Sequence, residues 1–449
     1  MATRSQICYG LVKESLASLG FQAESVTSVD LSPPYGNLAI RGLNDDLISS
    51  LCDIPWIDRA EGRDGFIGIW VNDALPSYWS NIERPFRDMR IAIEHTSITP
   101  CYPINLATAR SAVLGEQLRR VAAILGAETR GKFWVEEKAR QMEKVLLPSG
   151  VDSLWRFGKP DHVIGRAFRN AVCGETDLSQ ITEVAFCQAL PDFAPGEAAR
   201  GYERVHVQEV ARAYEQTLAA LGVRSLEFDF EDDVLNGLDW LHALGRLKSA
   251  EDVEALLGPG DASRPRYVLR NALYYHFLLK QFDKVWSVVP SGQRPTLEVS
   301  AAMAQQLADS RTGDLTMIYY GAILHQGERD SIRGGNFHSL DQLIRRGGPS
   351  LGEFRDRVLS VRSTTPIDLA MPSPTNHRVG PRNSWRGLAA ETMAVLLLED
   401  FVPKAVKFLR SGHYPQLYQW EREALTLVRD GEGRGRALEK LQRVLTILG

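Results

Sequence analysis

The sequence predicts an α/β protein whose middle region adopts a Rossmann-like fold. Ile91–Ile93 form a short apolar run typical of a buried strand, and a loop punctuated by proline follows. Apolar residues then recur at three- and four-residue steps up to Leu125, which predicts an amphipathic helix, and Gly126 stands where that helix should end. A strand, a loop and a helix N-terminus in this order open a nucleotide-binding α/β domain, because the free N–H groups at the helix start attract phosphate.

The length of the chain and the order of its elements predict several domains. With 449 residues, two or three domains can each bury a core. We expect a small N-terminal α+β domain, the Rossmann-like domain, a linker rich in Pro, Ser, Thr and Asn, and a C-terminal helical domain, at residues 1–85, 86–345, 346–385 and 386–449. The apolar spacing also predicts a helix near Leu11–Leu19, a strand at Gly65–Asp73, and a closing helix with one leucine face formed by Leu438, Leu441, Leu445 and Leu448.

Composition and charge are those of an ordinary soluble protein. The chain is 44% hydrophobic and 24% charged, which excludes the compositions of disordered and fibrous proteins. The net charge of −4 gives no overall attraction to nucleic acid. We therefore expect no DNA partner, and any RNA contact needs a local basic patch.

The cysteines and the N-terminus indicate the compartment. The five cysteines are scattered without a CxxC pair, which argues against a structural zinc site and a disulfide framework and favours a reducing compartment. The N-terminus carries charges where a signal peptide would be apolar, and no apolar run reaches the ~18 residues of a membrane span. We expect a cytoplasmic protein with no metal and no membrane partner.

Residues 91–111, IAIEHTSITPCYPINLATARS, resemble a signature segment of the arginyl-tRNA synthetases, a class I family. The family pattern is close to V-E-F-S-S-P-N-x-x-K-P-x-H-x-G-H-L-R-S, and five residues coincide with it without a gap: Glu94, Ser97, Pro103, Arg110 and Ser111. The later pair Arg140-Gln141 matches an R-Q of the same family. The resemblance implies a class I aminoacyl-tRNA synthetase catalytic domain for this region.

The same segment departs from the family at the positions that handle ATP and substrate. The two signature histidines become Asn105 and Thr108, and the glycine between them becomes Ala107. The family's lysine becomes Tyr102, and its substrate-binding asparagine becomes Thr99. Because adenylation needs stabilisation of negative charge at the phosphates, these losses imply that efficient arginine activation is gone while the scaffold is kept.

A second segment, Arg266–Gln293, is similar to the family's Y-x-T-R-D-I-A-Y-H followed by F-D-x-V-I-Y-V-V-G-A-x-Q. The coinciding residues are Tyr267, Arg270, Tyr274, Phe282, Asp283 and Gln293. By resemblance, Glu94, Tyr267 and Gln293 would contact arginine, while Asn271 replaces the guanidinium-binding aspartate and weakens one contact. A planar cation still needs one carboxylate, which Glu94 can supply. The alternative is that Glu94 forms a structural ion pair with a neighbouring arginine.

A third segment, Ile318–Leu343, resembles the part of the family that holds the second ATP signature, Lys-Met-Ser-Lys. Ser331 and Arg333 are kept, whereas the first signature lysine becomes Arg329 and the following apolar position becomes Asp330. Some positive charge remains beside a new carboxylate, which indicates a damaged phosphate clamp.

Weaker resemblances lie outside these three segments. Ser32–Ile40 and Gly65–Val71 are similar to the N-terminal domain with which arginyl enzymes touch the corner of tRNA, and Lys159–Val172 is similar to a Lys-Pro-Asp-His segment of one branch. The closing helices resemble a shortened anticodon-binding bundle.

An arginine pocket and a tRNA surface without ATP chemistry suggest a substrate that is already activated, such as an aminoacyl-tRNA ester. If the acyl group passes through an enzyme ester, as in bacterial cyclodipeptide synthases, the nucleophile should lie between residues 95 and 108, with His95 or Glu94 as its base. The candidates are Ser97, Thr99, Cys101, Tyr102 and Thr108. Direct attack of one aminoacyl-tRNA on another stays open.

Other polar residues have structural interpretations. We expect His162 and His276 to be structural and the aromatic run Tyr274–Phe277 to belong to a helix core. The acidic residues that could suggest a metal lack ligand spacing, and solvated helix faces are expected instead for Glu136, Glu137, Glu231, Asp232 and Asp233.

These observations lead to one main hypothesis and two rivals. The main hypothesis is a cyclodipeptide synthase that joins arginine from arginyl-tRNA with a second aminoacyl group from another aminoacyl-tRNA, with no cofactor. The first rival is an ATP-dependent, arginine-activating ligase. The second is a non-catalytic paralogue that regulates by binding tRNA.

Overall fold

The computed structural model describes seventeen stretches of the chain. The described residues are 29–30, 38–41, 45–54, 57–63, 66–71, 84–137, 159–173, 204–224, 226–237, 264–307, 313–325, 328–329, 339–345, 348–369, 390–412, 414–430 and 436–448. Two compact units divide the chain, one with residues 1–87, 120–126 and 376–449, the other with residues 88–119 and 127–375.

The N-terminal part of the first unit contains an antiparallel sheet and one helix. The strands stand in the order β1-β2-β4-β3, and the elements are β1 (Val29–Asp30), β2 (Leu38–Arg41), α1 (Asp45–Cys52), β3 (Ile57–Arg63) and β4 (Phe66–Val71). Ile67 and Ile69 of β4 are fully buried, so the alternating pattern that predicts this strand also forms its core face. The helix predicted near Leu11–Leu19 lies outside the described residues.

The second unit is built on a parallel five-stranded sheet. Its strands are β5 (Arg90–Ile98), β6 (Glu128–Val135), β7 (Leu226–Phe230), β8 (Lys284–Pro290) and β9 (Asp314–Tyr320), in the order β7-β6-β5-β8-β9. The chain runs outwards from β5 on one side and then returns to β8 on the other. This reversal creates a topological switch point at the carboxyl ends of β5 and β8, where open α/β sheets bind ligands.

Helices connect and cover these strands. They are α2 (Leu106–Ile124), α3 (Pro160–Cys173), α4 (Arg204–Ala219), α5 (Glu231–Gly237), α6 (Arg264–Leu279) and α7 (Arg294–Leu307). The predicted apolar stripe of α2 is buried at Val113, Leu114 and Leu118. Gly126, which follows this helix, has a φ of +101°, a conformation that glycine adopts without strain.

The aromatic run of α6 belongs to the core, as predicted. Tyr274 and Tyr275 are buried, and the Tyr274 ring stacks on Trp134 of β6 with 4.0 Å between ring centroids. Around them lies a cluster of buried apolar residues that includes Leu278 and Val285. The helix is therefore fixed against the centre of the sheet, and its first two turns reach the carboxyl edge.

The linker prediction for residues 346–385 does not fit the described part of that segment. The chain after β9 forms β10 (Ile323–His325), β11 (Glu328–Arg329), α8 (Leu340–Arg345), α9 (Gly348–Ser360) and β12 (Ile367–Asp368), with β10 pairing to both β11 and β12. Phe354 and Val358 of α9 are buried. These two residues are four positions apart and lie on one face of a helix, so the first part of the segment is helical. The linker was predicted from the Pro- and Ser-rich composition of the later part.

The C-terminal part of the first unit is helical, with α10 (Ala390–Ser411), α11 (Pro415–Asp430) and α12 (Arg436–Leu448). The indole N–H of Trp420 donates to the Leu397 carbonyl at 2.6 Å, which ties α11 to α10. The predicted leucine face of α12 is buried at Leu438, Leu441, Leu445 and Leu448. Among the described helices, none combines the length and the apolar character needed to cross a membrane.

Candidate functional site

A buried carboxylate, Glu94, stands at the switch point of the sheet. Glu94 of β5 lies in register with Ser287 of β8, is 3% exposed, and accepts a hydrogen bond from the Ser287 hydroxyl at Oε2. The Tyr275 hydroxyl lies 3.3 Å from the same serine oxygen. Burial raises the pKa of Glu94 to about 7, although the Ser287 hydrogen bond opposes the rise.

No ion pair among the described residues includes Glu94. Glu136 and Asp229 are the charges that act on it most strongly, and both raise its pKa further. The alternative role of Glu94 as a structural ion pair with a neighbouring arginine therefore has no support in the described part of the chain.

A second buried carboxylate, Glu136, follows the last residue of β6. It is 8% exposed, and its backbone N–H donates to the Ile98 carbonyl at 3.0 Å, which fixes it beside the end of β5. Burial raises the pKa of Glu136, Arg270 opposes the rise, and the charge of Glu231 adds to it. Interaction with the nearby hydroxyls of Ser97 and Thr99 lowers the pKa of its carboxyl group.

The guanidinium of Arg270 forms its close hydrogen bonds with Glu231. Arg270 of α6 donates through Nε and through Nη2, the latter at 2.7 Å, to the two oxygens of the Glu231 carboxylate. The distance from Arg270 Nη2 to Glu136 Oε2 is 4.0 Å. The prediction that Glu136 and Glu231 lie on solvated helix faces is wrong, because each directly follows a strand of the sheet and is itself buried.

Negative charge exceeds positive charge in this region. Lys132 of β6 pairs with Asp229 of β7 at 3.1 Å, and the Tyr274 hydroxyl donates to the other oxygen of Asp229 at 3.0 Å. Arg270 and Lys132 thus face a larger set of carboxylates, namely the buried Glu94, Glu136 and Glu231 and the partly buried Asp229. A cationic ligand would restore the balance.

The substrate-binding residues predicted on α6 lie on the same side of the sheet. The Tyr267 hydroxyl donates to Gln293 Oε1 at 3.1 Å, and burial, followed by the charges of Glu136 and Glu94, raises the pKa of Tyr267. Asn271 is buried, and its Nδ2 donates to the Tyr267 carbonyl at 2.8 Å. The structure thus brings Glu94, Tyr267, Asn271 and Gln293 to one region, with Gln293 at its exposed margin.

Cys101 and Tyr102 do not have the surroundings of nucleophiles. Both lie in the loop after β5, and burial raises the pKa of the Cys101 thiol and of the Tyr102 hydroxyl. An activated cysteine needs the opposite, a lowered pKa beside positive charge. The Tyr102 carbonyl also accepts the Tyr214 hydroxyl at 2.6 Å, so this residue helps to fix the loop on α4.

His95 lies in the core rather than beside the candidate nucleophiles. A Cβ placed on Gly115 of α2 would stand 2.7 Å from His95 Cγ, and one on Gly131 of β6 would stand 3.1 Å from Nε2. The ring therefore fills the space that these two glycines leave between α2 and the sheet. Since adjacent strand residues face opposite sides, His95 is directed away from the α6 side where Glu94 lies.

The positions of the first ATP signature hold the start of α2 together. Asn105 Oδ1 accepts the backbone N–H of Thr108 at 2.8 Å, which makes Asn105 an N-cap, and the Ser111 hydroxyl donates to the Thr108 carbonyl. Asn105 and Thr108 are buried, and Ala107 between them offers no polar group. A backbone bridge joins Asn105 to Ser339. One N–H that a phosphate could use is therefore already bonded.

The second ATP signature is described only in part. Arg329 lies in β11, in register with Leu324 of β10. Ser331 and Arg333 lie outside the described residues, so their predicted role is not tested by the structure.

One group among the described residues has the arrangement of metal ligands, formed by Asp161, His162 and Asp341. The Lys159 ammonium lies 2.8 Å from Asp341 Oδ2 and 3.7 Å from Asp161 Oδ2, so it holds the place that a cation would take. His162 Nε2 is 2.7 Å from the same Asp341 oxygen. The cluster connects α3 to α8, and the structural role predicted for His162 fits this position.

Sequence reasoning missed Ser287, Glu136 and Glu231 as members of the site. The available signals were positional. Glu136 and Glu231 each follow the last residue of a strand, and Ser287 holds the fourth position of β8 as Glu94 holds the fifth of β5. Because the carboxyl ends of parallel strands meet at one edge of the sheet, polar residues at these ends are candidates for a binding site even where the local charge pattern indicates a surface helix.

Comparisons with known proteins agree with this architecture. The structure matches Thermus thermophilus arginyl-tRNA synthetase with a TM-score of 0.61 and 15% sequence identity, over 98% of this chain and 95% of that one. The match shows the fold, and the predicted α/β, Rossmann-like class I synthetase fold is confirmed.

The sequence relatives are arginine–tRNA ligases. The chain is 21% identical to that of Methanocella arvoryzae over 387 residues, which cover 74% of this chain and 66% of the relative. It is 23% identical to that of Lawsonia intracellularis over 292 residues, which cover 59% and 52%. The chain thus spans between about half and two thirds of the length of these relatives. No protein-family model matches it.

The comparisons bear directly on the functional hypotheses. They support likeness to arginyl-tRNA synthetases and give no support to a cyclodipeptide synthase or to a second aminoacyl-tRNA. The chain therefore has the class I synthetase fold, and its sequence is similar to those of arginine–tRNA ligases.

Proposed function

We propose that the protein binds an arginyl group and transfers it from tRNA. The observation that carries this proposal is Glu94, a buried carboxylate at the switch point that is oriented by Ser287 and has no ion-pair partner among the described residues. A charge in such a place is costly unless a partner arrives with the ligand. A guanidinium can donate two parallel N–H bonds to a carboxylate, which makes arginine the amino acid best matched to the site.

For the reaction, we propose cyclodipeptide synthesis from arginyl-tRNA and a second aminoacyl-tRNA without ATP. The α-amino nitrogen of one aminoacyl group attacks the ester carbonyl carbon of the other. The bond from that carbon to the ribose oxygen breaks, and this oxygen stays on the tRNA as a hydroxyl after taking up the proton released from the nitrogen. The same attack in the opposite direction closes the ring. What supports the absence of ATP is the start of α2, where Asn105 replaces a charged donor and caps the helix.

If the acyl group passes through the enzyme, Ser97 and Thr99 are the candidate hydroxyls that face a carboxylate, that of Glu136. Their position differs from that of Cys101 and Tyr102, whose pKa values burial raises. Alanine substitution of both hydroxyl residues would abolish product in a covalent mechanism and would leave direct transfer between two tRNAs possible.

The second candidate is an ATP-dependent ligase that activates arginine. The comparisons favour it over cyclodipeptide synthesis, because the sequence relatives are arginine–tRNA ligases and the fold matches a synthetase. In this case Arg329, Ser331 and Arg333 would contact the phosphates. The cytoplasmic location stays a prediction for both candidates.

One experiment separates the candidates. The purified chain is incubated with charged tRNA, without ATP or other synthetases, and arginine-containing cyclic dipeptides are sought by mass spectrometry. A parallel reaction contains free arginine, uncharged tRNA and ATP and is followed by pyrophosphate release. Glu94→Gln serves as the inactive control in both, because it keeps the shape of the side chain and removes its charge.

Each outcome has a distinct meaning. A cyclic dipeptide that requires arginyl-tRNA but no ATP supports the synthase. Arginine-dependent pyrophosphate release supports the ligase and overturns the ATP-independent reaction. Binding of tRNA without either product would point to the non-catalytic paralogue and overturn the proposal of acyl transfer.

A further inference from the structure

The site contains a second acidic position that the arginine side chain does not need. Glu136 lies at the end of β6, next to the strand that carries Glu94, and its backbone is fixed by the hydrogen bond to Ile98. Glu136 is only 8% exposed, so its carboxylate is buried at the carboxyl edge of the sheet. The hydroxyls of Ser97, on β5, and Thr99, in the loop that follows, lower the pKa of this carboxyl group.

The charge of Glu136 is only partly balanced. Its nearest cation among the described ion pairs is Arg270, at 4.0 Å, and that guanidinium makes its close bonds to Glu231. The hydroxyls of Ser97 and Thr99, which lower the pKa of Glu136, are neutral and do not cancel its charge. A group with one more positive charge would therefore be attracted to Glu136 even after a guanidinium has bound to Glu94.

We propose that Glu136 binds the α-ammonium group of the arginyl substrate and accepts its proton. The inference rests on the proposed function in that the ligand is an arginyl ester. The two carboxylates then divide the two positive charges of one ligand, with the guanidinium at Glu94 and the α-ammonium at Glu136. Burial raises the pKa of Glu136, which makes it a better proton acceptor than an exposed carboxylate.

The α-ammonium loses a proton to a carboxylate oxygen of Glu136 and becomes a neutral amine. The amine nitrogen forms its bond to the ester carbonyl carbon of the second aminoacyl group, and the bond from that carbon to the ribose oxygen breaks. The proton released from nitrogen on bond formation goes to the ribose oxygen, and Glu136 returns its own proton to solvent.

The test is a cycle of ligand and protein changes, measured as dissociation constants by titration calorimetry at pH 7. The ligands are arginine methyl ester, the methyl ester of 5-guanidinopentanoic acid, which lacks the α-amino group, and norleucine methyl ester, which lacks the guanidinium. At this pH the α-amino group, with its ordinary pKa of about 7.7–8.0, is charged. The proteins are wild type, Glu136→Gln, Glu94→Gln and the matched control Glu137→Gln.

We expect wild type to bind arginine methyl ester at least about tenfold more tightly than the ester without the amino group, as one charge-assisted hydrogen bond predicts. Glu136→Gln should lose that difference and keep its affinity for the 5-guanidinopentanoate ester. Glu94→Gln should instead lose the difference between arginine and norleucine esters. Glu137→Gln, whose carboxylate in wild type accepts the Asp232 N–H, should retain both differences.

Two results would overturn this inference without contradicting the proposed function. One is a wild-type protein that binds the arginine ester and its deaminated analogue equally, a comparison that needs no variant to fold. The other is a Glu136→Gln protein whose affinity for both ligands falls by the same factor. If wild type bound none of the guanidinium ligands, the arginine site itself, and with it the proposed function, would be wrong.

Discussion

At the scale of single residues, the site is governed by the burial of carboxylates. Glu94 and Glu136 occupy places where a charge is costly in the unliganded protein, and the Ser287 hydroxyl orients Glu94. Such groups weaken the folded state and strengthen the binding of a cation. When one of these carboxylates is replaced by a neutral side chain, stability and ligand affinity should therefore change in opposite directions.

Glu94→Gln should make the protein more stable at neutral pH. The pKa of Glu94 is raised from 4.5 in the unfolded chain to about 7, so the folded state holds a proton that the unfolded state has released between these values. Stability therefore falls as pH rises through this window, by about 3 kcal/mol at 1.4 kcal/mol per pKa unit. Urea unfolding at pH 4.5 and 8 should show this loss in wild type and a smaller loss in the variant. Equal losses in both proteins would show that Glu94 is not the responsible group.

At the scale of elements, α2 is packed against the sheet through the His95 ring. Gly115→Ala should lower the free energy of unfolding by about 1–3 kcal/mol, because the added Cβ would meet ring and backbone atoms of His95 at 2.7–2.8 Å. Gly352 of α9 is the matched control, since a Cβ there meets nothing within 4 Å and Gly352→Ala should stabilise the helix by about 0.5–1 kcal/mol. Chemical denaturation measures both, and destabilisation of equal size would argue against the packing of His95 under α2.

A second feature at this scale is Arg110, a buried arginine of α2. Its Nη1 donates to the carbonyls of Gly321 and Ala322, and its Nη2 donates to those of Ser363 and Thr365 at 2.7 Å each. One guanidinium thus donates hydrogen bonds to carbonyls of two loops, the one after β9 and the one before β12.

Arg110→Met should cost at least about 3 kcal/mol of stability, because it leaves several buried carbonyls without a donor. Hydrogen exchange followed by mass spectrometry should show lower protection in residues 321–325 and 363–369. A variant with unchanged exchange there would contradict the role of Arg110 in holding these loops.

At the scale of the whole molecule, stability comes in part from polar clusters that join distant parts of the sequence. The Asp341 carboxylate of α8 accepts hydrogen bonds from Lys159, His162 and the Thr217 hydroxyl. All three residues lie more than a hundred positions away in the sequence. Although burial raises it, the hydrogen bond from His162 and the charge of Lys159 bring the pKa of Asp341 down to about 2.

This cluster predicts an acid-sensitive contribution to stability. Because the pKa of Asp341 is lower in the folded than in the unfolded state, its contribution is present above pH 3.8 and is lost as pH falls towards 2. Asp341→Asn should cost about 2 kcal/mol at pH 7 and progressively less below pH 4, at about 1.4 kcal/mol per pKa unit. Thermal unfolding across this range measures the effect, and a cost that did not depend on pH would rule out the ion pairs as its source.

The sequence by itself determined the elements and their order. The period of the apolar residues identifies α2 and α12, and Gly126 marks the end of α2, because helical packing depends on residues only three or four positions apart. The resemblance to arginyl-tRNA synthetases added the class I fold and the place of Glu94 and Tyr267 in one pocket.

Only the tertiary structure decided which polar groups share a site. Glu136 and Glu231 look like surface charges in the sequence, yet both are buried, directly after the carboxyl ends of β6 and β7. His95 is adjacent to Glu94 in the chain and faces the opposite side of the sheet. Strand order and register, which bring Ser287 beside Glu94 across 193 residues, arise from contacts that no local pattern contains. Local periodicity therefore predicts the elements, and the pairing of distant strands sets the chemistry of the site.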